Sequence, residues 1–292
     1  MRNHELWFAE IHARGVKLFL EAELLHQEQT PYQNLMILKN ETLGVFLTLD
    51  GYVQLTEGDE FIYHDMICHP AFAVNPDIKR VLIIGGGDGG TAREVARYPQ
   101  IERIDMVEID EAIIRLANEY LPLTAKVFTK EPRLRLIIGD GVAFIKQAPD
   151  ACYDLILVDS TDPLGPGKGL FSKEFYANCN RVLTENGILI NQHGSAFYEV
   201  DAQPLKLIHD KISASFPVAR IFGFNMPTYA SGYWYFGFAS KKLDPLTDAQ
   251  HELWKSLGLN TRYYNADIHR AAFALPSYVR ELLQGEGGIC KE

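Results

Sequence analysis

The sequence predicts an α/β protein built on a parallel sheet, with a small β-rich region in front of it. Three observations carry that expectation. From about residue 78, short apolar runs alternate with stretches of helical spacing, the pattern of strands joined by crossover helices. Each of the first four runs ends on a carboxylate or is closely followed by one: Asp88, Glu108, Asp140 and Asp159. Ahead of them, residues 1 to about 70 hold several short alternating segments separated by turn residues.

The N-terminal strands come first. "KLFLEAELLHQ", "NLMILKN", "VFLTLD" and "YVQLT" are short apolar or alternating segments, and the Asp-Gly pair inside "TLDGYVQ" marks a tight hairpin between the last two. A set of strands this small lacks an independent core, so it is expected to pack on the rest of the chain or on another subunit. We place the N-terminal β-strand domain at residues 1–70 and the catalytic domain at 71–292. In the second region "RVLIIG" (80–85) reads as a strand and "GGTAREVARYP" as a helix, then "IDMVEID" (104–110) as a strand and "EAIIRLANEYL" as a helix. The strand "LRLIIGD" (134–140), the short helix "GVAFIKQ" and the strand "YDLILVDS" (153–160) continue the alternation. The helix "SKEFYANCNRVL" and the strand "GILINQH" (187–193) follow. "ARIFGFNM" and the aromatic "YWYFGFAS" read as later strands, and "YYNADIHRAAFALPSYVRELL" as a turn followed by a helix.

At 47% hydrophobic and 23% charged residues, the chain has the make-up of a globular protein. Its net charge of −10 leaves little basic surface for nucleic acid or an anionic membrane, so neither is expected as a partner. "MRNHELWFAEIHARG" contains no apolar signal-peptide core, and the apolar runs fall far short of the ~20 residues of a membrane span. Cys68, Cys152, Cys179 and Cys290 form no Cys-x-x-Cys pair and read as reduced thiols of a cytoplasmic protein. His64 and His69 come nearest to a ligand spacing, but a structural or solvated role is expected and no metal is expected.

Open α/β sheets bind ligands beyond the carboxyl ends of their strands, where the four acids fall. Each alone is as well explained as a helix or turn cap; four at one edge point to a shared site. Glu108 ends the second strand, where a carboxylate accepts both ribose hydroxyls of a nucleotide. Asp140 with Gly141 ends the third, where it can accept from an adenine amino group. The turn "GGGDGG" (85–90) would suit phosphates, yet Asp88 in its middle repels them. Two like charges roughly 4 Å apart cost about 4 kcal/mol at an effective dielectric of about 20. The expected ligand is therefore a cationic adenosine derivative such as a sulfonium, not a dinucleotide. In "VDSTDPLGPGKGLF", Asp159 and Asp162 suit a substrate with two positive charges. An acid beside an ammonium can also take the proton that an amine must lose before its lone pair attacks. The Gly/Pro-rich loop that follows reads either as a lid or as a plain connection.

Taken together, "GGGDGG", "VEID", "IIGDG", "DSTDP", the upstream "LDGYVQLTEGDEFIYHDM" and the closing "YYNADIHRAAFALP" resemble the spermidine synthases, or polyamine aminopropyltransferases, in order over nearly the whole chain. The resemblance implies a Rossmann-like, methyltransferase-type sheet carrying a small N-terminal β domain, assembled as a homodimer or homotetramer. It implies transfer of the aminopropyl group of decarboxylated S-adenosylmethionine to putrescine, giving spermidine and 5′-methylthioadenosine. The donor is then a co-substrate, and no cofactor is implied. Gln33, Glu108, Asp140, Gly141 and Pro166 would hold the methylthioadenosine part, with Gln54 and Asp88 beside the aminopropyl chain. Tyr63, His64, Asp162 and Tyr229 would hold the acceptor, together with Asp88, Ser160 and Thr161. Asp159 would be the proton acceptor. Gly58 stands where the family commonly has Arg, and Asp65 where it commonly has Glu.

Other functions remain in competition at this stage. An S-adenosylmethionine-dependent methyltransferase would share the sheet, but Asp88 should exclude the carboxylate that its donor carries. A silent polyamine-binding protein would have no need for Asp88, Asp159 and Asp162 together. The acceptor stays open among putrescine, cadaverine, agmatine, diaminopropane and spermidine.

Overall fold

The computed structural model describes residues 6–161 and 165–285, with the backbone alone at 165 and 166. Strands β1 (Leu6–Ala13), β2 (Val16–Gln29), β3 (Asn34–Asn40), β4 (Gly44–Leu49) and β5 (Tyr52–Thr56) form an antiparallel meander in chain order. The Asp-Gly turn forms as expected: Asp50 and Gly51 both have positive φ, 50° and 87°, the geometry that matches the twist of a two-residue hairpin. Strand β1 lies in "LWFAEIHA", which the sequence reading left unassigned. Its inward positions are Phe8 and Glu10, and a charged inward residue hides the usual alternation.

Helix α1 (Glu60–Val74) follows and is the largest departure from expectation. Every residue in it except Phe61 is buried, and Pro70 lies inside it. A helix buried on all sides shows no 3.6-residue polar stripe, so nothing in the pattern marks it. The domain boundary expected at residue 70 therefore falls within a continuous helix.

The second sheet is built from β6 (Arg80–Gly85), β7 (Arg103–Glu108), β8 (Leu134–Ile138), β9 (Tyr153–Asp159), β10 (Leu183–Gly194), β11 (Val218–Asn225) and β12 (Tyr233–Ser240) in the order β11-β12-β10-β9-β6-β7-β8. Strands β8, β7, β6, β9 and β10 run parallel, while β12 is antiparallel to both of its neighbours. Helices α2 (Gly90–Ala96), α3 (Glu111–Tyr120) and α6 (Gly141–Gln147) make the first crossovers, with single turns α4 (Pro122–Ala125) and α5 (Val127–Lys130) before β8. A 3-10 segment (Gly165–Phe171), α7 (Lys173–Val182) and α8 (Glu199–Ser213) complete them. The central strands are apolar along their length because both faces are covered. Ile83, Leu155 and Ile190 face a core shared with α1, and Leu82, Ile156 and Leu189 face one shared with α7 and α8.

The closing segment is three helices, α9 (His251–Ser256), α10 (Ala266–Ala272) and α11 (Ser277–Gln284), rather than one turn and one helix. Pro276 separates the last two. The segment is tied to α1 by Asp65, whose Oδ2 accepts from the main-chain N–H groups of Arg262, Tyr263 and Tyr264 at 3.1, 2.8 and 3.1 Å. The small sheet docks on the large domain through Leu35, Ile37, Leu47, Leu49 and Leu55, which pack against Ile113 and Leu116 of α3. Asp59 pins the junction: its carboxylate accepts from Thr56 Oγ1 at 2.7 Å and from Thr228 Oγ1 at 2.6 Å. Among the described residues, no helix is long and apolar enough to cross a membrane.

Candidate active site

A cleft opens between the small sheet and the carboxyl edge of the large one, lined by the glycine turn and the ends of β7 and β9. The glycines bring neighbouring groups together. Gly85 has φ +85°, and a Cβ there would lie 2.0 Å from the carbonyl oxygen of Asp159. A Cβ on Gly90 would lie 2.1 Å from the His64 ring. The turn thus admits the β9 end on one side and α1 on the other.

At the end of the cleft nearest α1, Asp88 Oδ1 accepts from Gly90 N at 2.8 Å and faces His64 Nε2 at 3.2 Å. The other ring nitrogen, Nδ1, meets Glu60 Oε2 at 2.5 Å. Burial alone would lower the His64 pKa; the Asp88 and Glu60 carboxylates outweigh it and raise it to about 10. Asp159 Oδ2 accepts from Thr91 Oγ1 at 2.6 Å, and its carboxylate is also hydrogen-bonded by Tyr63. Burial and the nearby Asp88 charge push the Asp159 carboxyl up, against the pull of His64 and these hydrogen bonds. Burial and the Asp159 charge keep the Tyr63 hydroxyl protonated. Tyr229, in the turn between β11 and β12, donates its hydroxyl to the Gln54 carbonyl and stacks edge-on to Tyr63 and Trp234.

At the opposite end, Glu108 is buried, and Oε1 accepts from Asp110 N at 2.9 Å. Burial, with Asp110 and Asp159 adding, raises the Glu108 carboxyl to about 7 against its main-chain hydrogen bonds. Asp110 caps α3 through Ala112 N and takes Gln33 Nε2 at 2.9 Å and Thr30 Oγ1 at 2.8 Å on its other oxygen. Gln33 is thereby fixed against the large domain. Asp140 caps α6, accepting from Val142 N at 2.8 Å, and a Cβ on Gly141 would lie 2.4 Å from Ile84.

Gln33, Gln54, Tyr63, His64, Asp88 and Glu108 line this one cleft, and so do Asp140, Gly141, Asp159, Ser160, Thr161 and Tyr229. Asp162 and the side chain of Pro166 lie outside the described residues. Four groups that the sequence reading missed take part: Glu60, Thr91, Asp110 and Thr30. Glu60 lies one helical turn before His64, a signal visible only once 60–74 is read as a helix. Glu10 and His12 of β1 also line the cleft, with Gln192 and Asp201. His64 with Asp88 and Asp159, and His69 with Asp65 and Glu94, each form a tight cluster. In both, the imidazole ion-pairs with carboxylates.

The strand order and the acid-lined cleft at the carboxyl edge define an enzyme of the Rossmann-like, methyltransferase-type α/β class. Residues 60–251 match the spermine/spermidine synthase domain, and residues 6–57 match the spermidine synthase tetramerisation domain. The chain is 53% identical over 281 residues to the polyamine aminopropyltransferase of Clostridium acetobutylicum, covering 96% of this chain and 98% of that one. It is 50% identical over 283 residues to the polyamine aminopropyltransferase of Alkaliphilus oremlandii, covering 97% and 99%. A crystal structure of spermidine synthase with the transition-state analogue AdoDATO superposes with a TM-score of 0.93 at 37% identity, over 97% of this chain and 96% of that one. Spermidine synthase from Thermotoga maritima superposes with a TM-score of 0.91 at 37% identity, over 97% and 95%. The chain belongs to the spermine/spermidine synthase family and is a polyamine aminopropyltransferase.

Proposed function

We propose that this enzyme transfers the aminopropyl group of decarboxylated S-adenosylmethionine to putrescine, releasing spermidine and 5′-methylthioadenosine. The observation that carries the reading is the pair Asp88 and Asp159 beside the glycine turn, one carboxylate for an ammonium and one for a proton. Glu108 and Gln33 receive the ribose, Asp140 and Gly141 border the adenine, and Asp88 with Gln54 faces the donor's aminopropyl chain. Asp88 thereby favours a donor without a carboxylate. Tyr63, Tyr229 and the Ser160–Asp162 turn receive the diamine, with Pro166 beside the nucleoside. His64 already has both nitrogens on carboxylates, so it serves the acceptor by orienting Asp88.

The sulfonium is its own leaving group, and the reaction calls for orientation and deprotonation. Asp159 takes the proton of the acceptor amine. The freed lone pair attacks the carbon bonded to sulfur, the C–N bond forms, and the C–S pair returns to sulfur as a neutral thioether. A raised Asp159 pKa improves it as a base. The likeness of residues 6–57 to a tetramerisation domain supports a homo-oligomer, dimer or tetramer, and we infer a cytoplasmic enzyme. A product assay with decarboxylated S-adenosylmethionine and a panel of putrescine, cadaverine, agmatine, diaminopropane and spermidine tests the acceptor. Spermidine from putrescine at the highest kcat/KM is expected; a preference for another amine overturns the assignment.

A further inference from the structure

Beside His64, at a wall of the cleft that Glu60 helps to line, lies an ion-paired unit that the chemistry above leaves without a task. Arg93 of α2 donates through both Nη atoms to the two oxygens of Glu60, at 3.0 and 2.9 Å, and through Nε to Glu94 at 2.9 Å. Glu60 in turn meets His64 Nδ1 at 2.5 Å. The Glu60 and His64 side chains are 8% and 2% exposed, so water replaces neither partner if one is lost.

Each nitrogen of the His64 ring faces a carboxylate, Glu60 on one side and Asp88 on the other. An ionised carboxylate only accepts, so the ring satisfies both when both nitrogens carry protons. His64, Asp88 and Asp159 each place a polar atom within 4.8 Å of the other two. Protonation of groups this close belongs to the set rather than to one member. Two arrangements of equal total charge compete. In one, His64 is the imidazolium and both aspartates are ionised; in the other, His64 is neutral and a proton is held between the aspartates. The first leaves Asp159 able to accept a proton and Asp88 able to hold an ammonium.

We propose that Glu60, locked by Arg93, is a positioning residue that keeps the shared proton on His64 and so leaves Asp159 free as the base. The proposal rests on Asp159 being the proton acceptor. The groups facing the cluster are Glu60 and Tyr63 from α1, Asp88 from the turn, Thr91 and Arg93 from α2, Asp159 from β9, and Glu108 from β7. Burial alone would push the Glu60 carboxyl up; His64 and Arg93 outweigh it and bring it down to about 2. The carboxylate is therefore a fixed negative charge across the working range, placed against the outer ring nitrogen. The bidentate guanidinium gives it one orientation.

Glu60→Gln keeps the shape and removes the charge. Histidine-selective NMR of the intact protein reads His64 ionisation without turnover, and steady-state kinetics with decarboxylated S-adenosylmethionine and putrescine read kcat and KM across pH. In Glu60→Gln, His64 should lose its proton several pH units lower than in the parent, below neutrality rather than near 10, and kcat near neutrality should fall about tenfold. The ascending limb of kcat should move to higher pH, because Asp159 keeps its proton longer. Arg93→Lys retains a cation but loses the fork, so it should shift both readouts the same way by less. That variant also carries the test if Glu60→Gln fails to fold. An unchanged His64 titration in a folded variant overturns the proposal. So does a loss of kcat without displacement of its ascending limb, which marks a merely structural role. Asp159→Asn with full turnover would instead overturn the reading of Asp159, and the His64 titration is independent of that result.

Discussion

The two ends of the cleft are both lined with carboxylates and use them in opposite ways. At the end proposed for the nucleoside, Glu108 is held by the main-chain N–H groups of Ile109 and Asp110, and burial raises its carboxyl to about 7. At the transfer end, Asp88 faces the His64 imidazolium, and that ring is held by Glu60 and, through it, Arg93. The difference follows from the ligands proposed for them: ribose offers neutral donors, for which an acceptor is enough, whereas amine transfer needs charges of known sign at known places. A buried carboxylate without a cation is a variable; with one, it is a constant.

The largest predicted effect separates chemistry from binding. Asp159→Asn should lower kcat by about 10²–10⁴-fold, the usual contribution of a general base. Methylthioadenosine affinity by calorimetry should change little, because Asp159 is only the smallest of the influences on Glu108 and touches no other group at that end. Comparable losses in both would break the division of the cleft into two ends.

Next in size is Asp88→Asn. Removing one partner of a desolvated charge pair costs about 2–5 kcal/mol. Affinity for decarboxylated S-adenosylmethionine should drop accordingly, while S-adenosylmethionine, which carries a carboxylate, gains relative to it. Calorimetry with both ligands checks this; parent protein that binds the two equally would remove Asp88 as the selector.

The smallest effect is the pH dependence of the nucleoside end. Ribose hydroxyls need the ionised Glu108, so methylthioadenosine affinity should fall by up to about tenfold per pH unit below about 7. Proton release on binding, measured in buffers of different ionisation enthalpy, should approach one per ligand below about 7 and vanish above it. The stability linkage has opposite signs at the two ends. The Glu108 pKa is raised on folding, so this group lowers stability as pH rises from its unfolded value of about 4.3 toward 7. Glu60, depressed to about 2, contributes stability above its unfolded value and loses it as pH falls toward 2. A pH-independent affinity between about 6 and 8 would show that Glu108 is ionised before the ligand arrives.

Much of this was legible in the sequence because it follows chain-local rules. The β6, β7, β8 and β9 strands are apolar runs closed by acids, and "GVAFIKQ" with its Asp140 cap is a helix by inspection. What escaped notice depends on burial and on distant partners. Helix α1 has no exposed face, so neither its extent nor the Glu60–His64 pairing shows in the spacing of apolar residues. The second acid of "VEID", Asp110, was passed over because its role, joining Gln33 and Thr30 to the cap of α3, depends on contacts 77 and 80 residues away in the chain. The glycines of "GGGDGG" read as room for a ligand; two of them make room for Asp159 and His64.

Asp65 sets a limit on how short this chain can be made. Its carboxylate lies inside the protein and receives three main-chain donors from residues 262–264. Trimming from the C-terminus can pass α11 and still leave those donors in place. A cut ahead of residue 262 strands a buried acceptor on the same helix that carries His64. The tail of the polypeptide is thus a structural creditor of its catalytic half, although none of its described residues reaches the cleft.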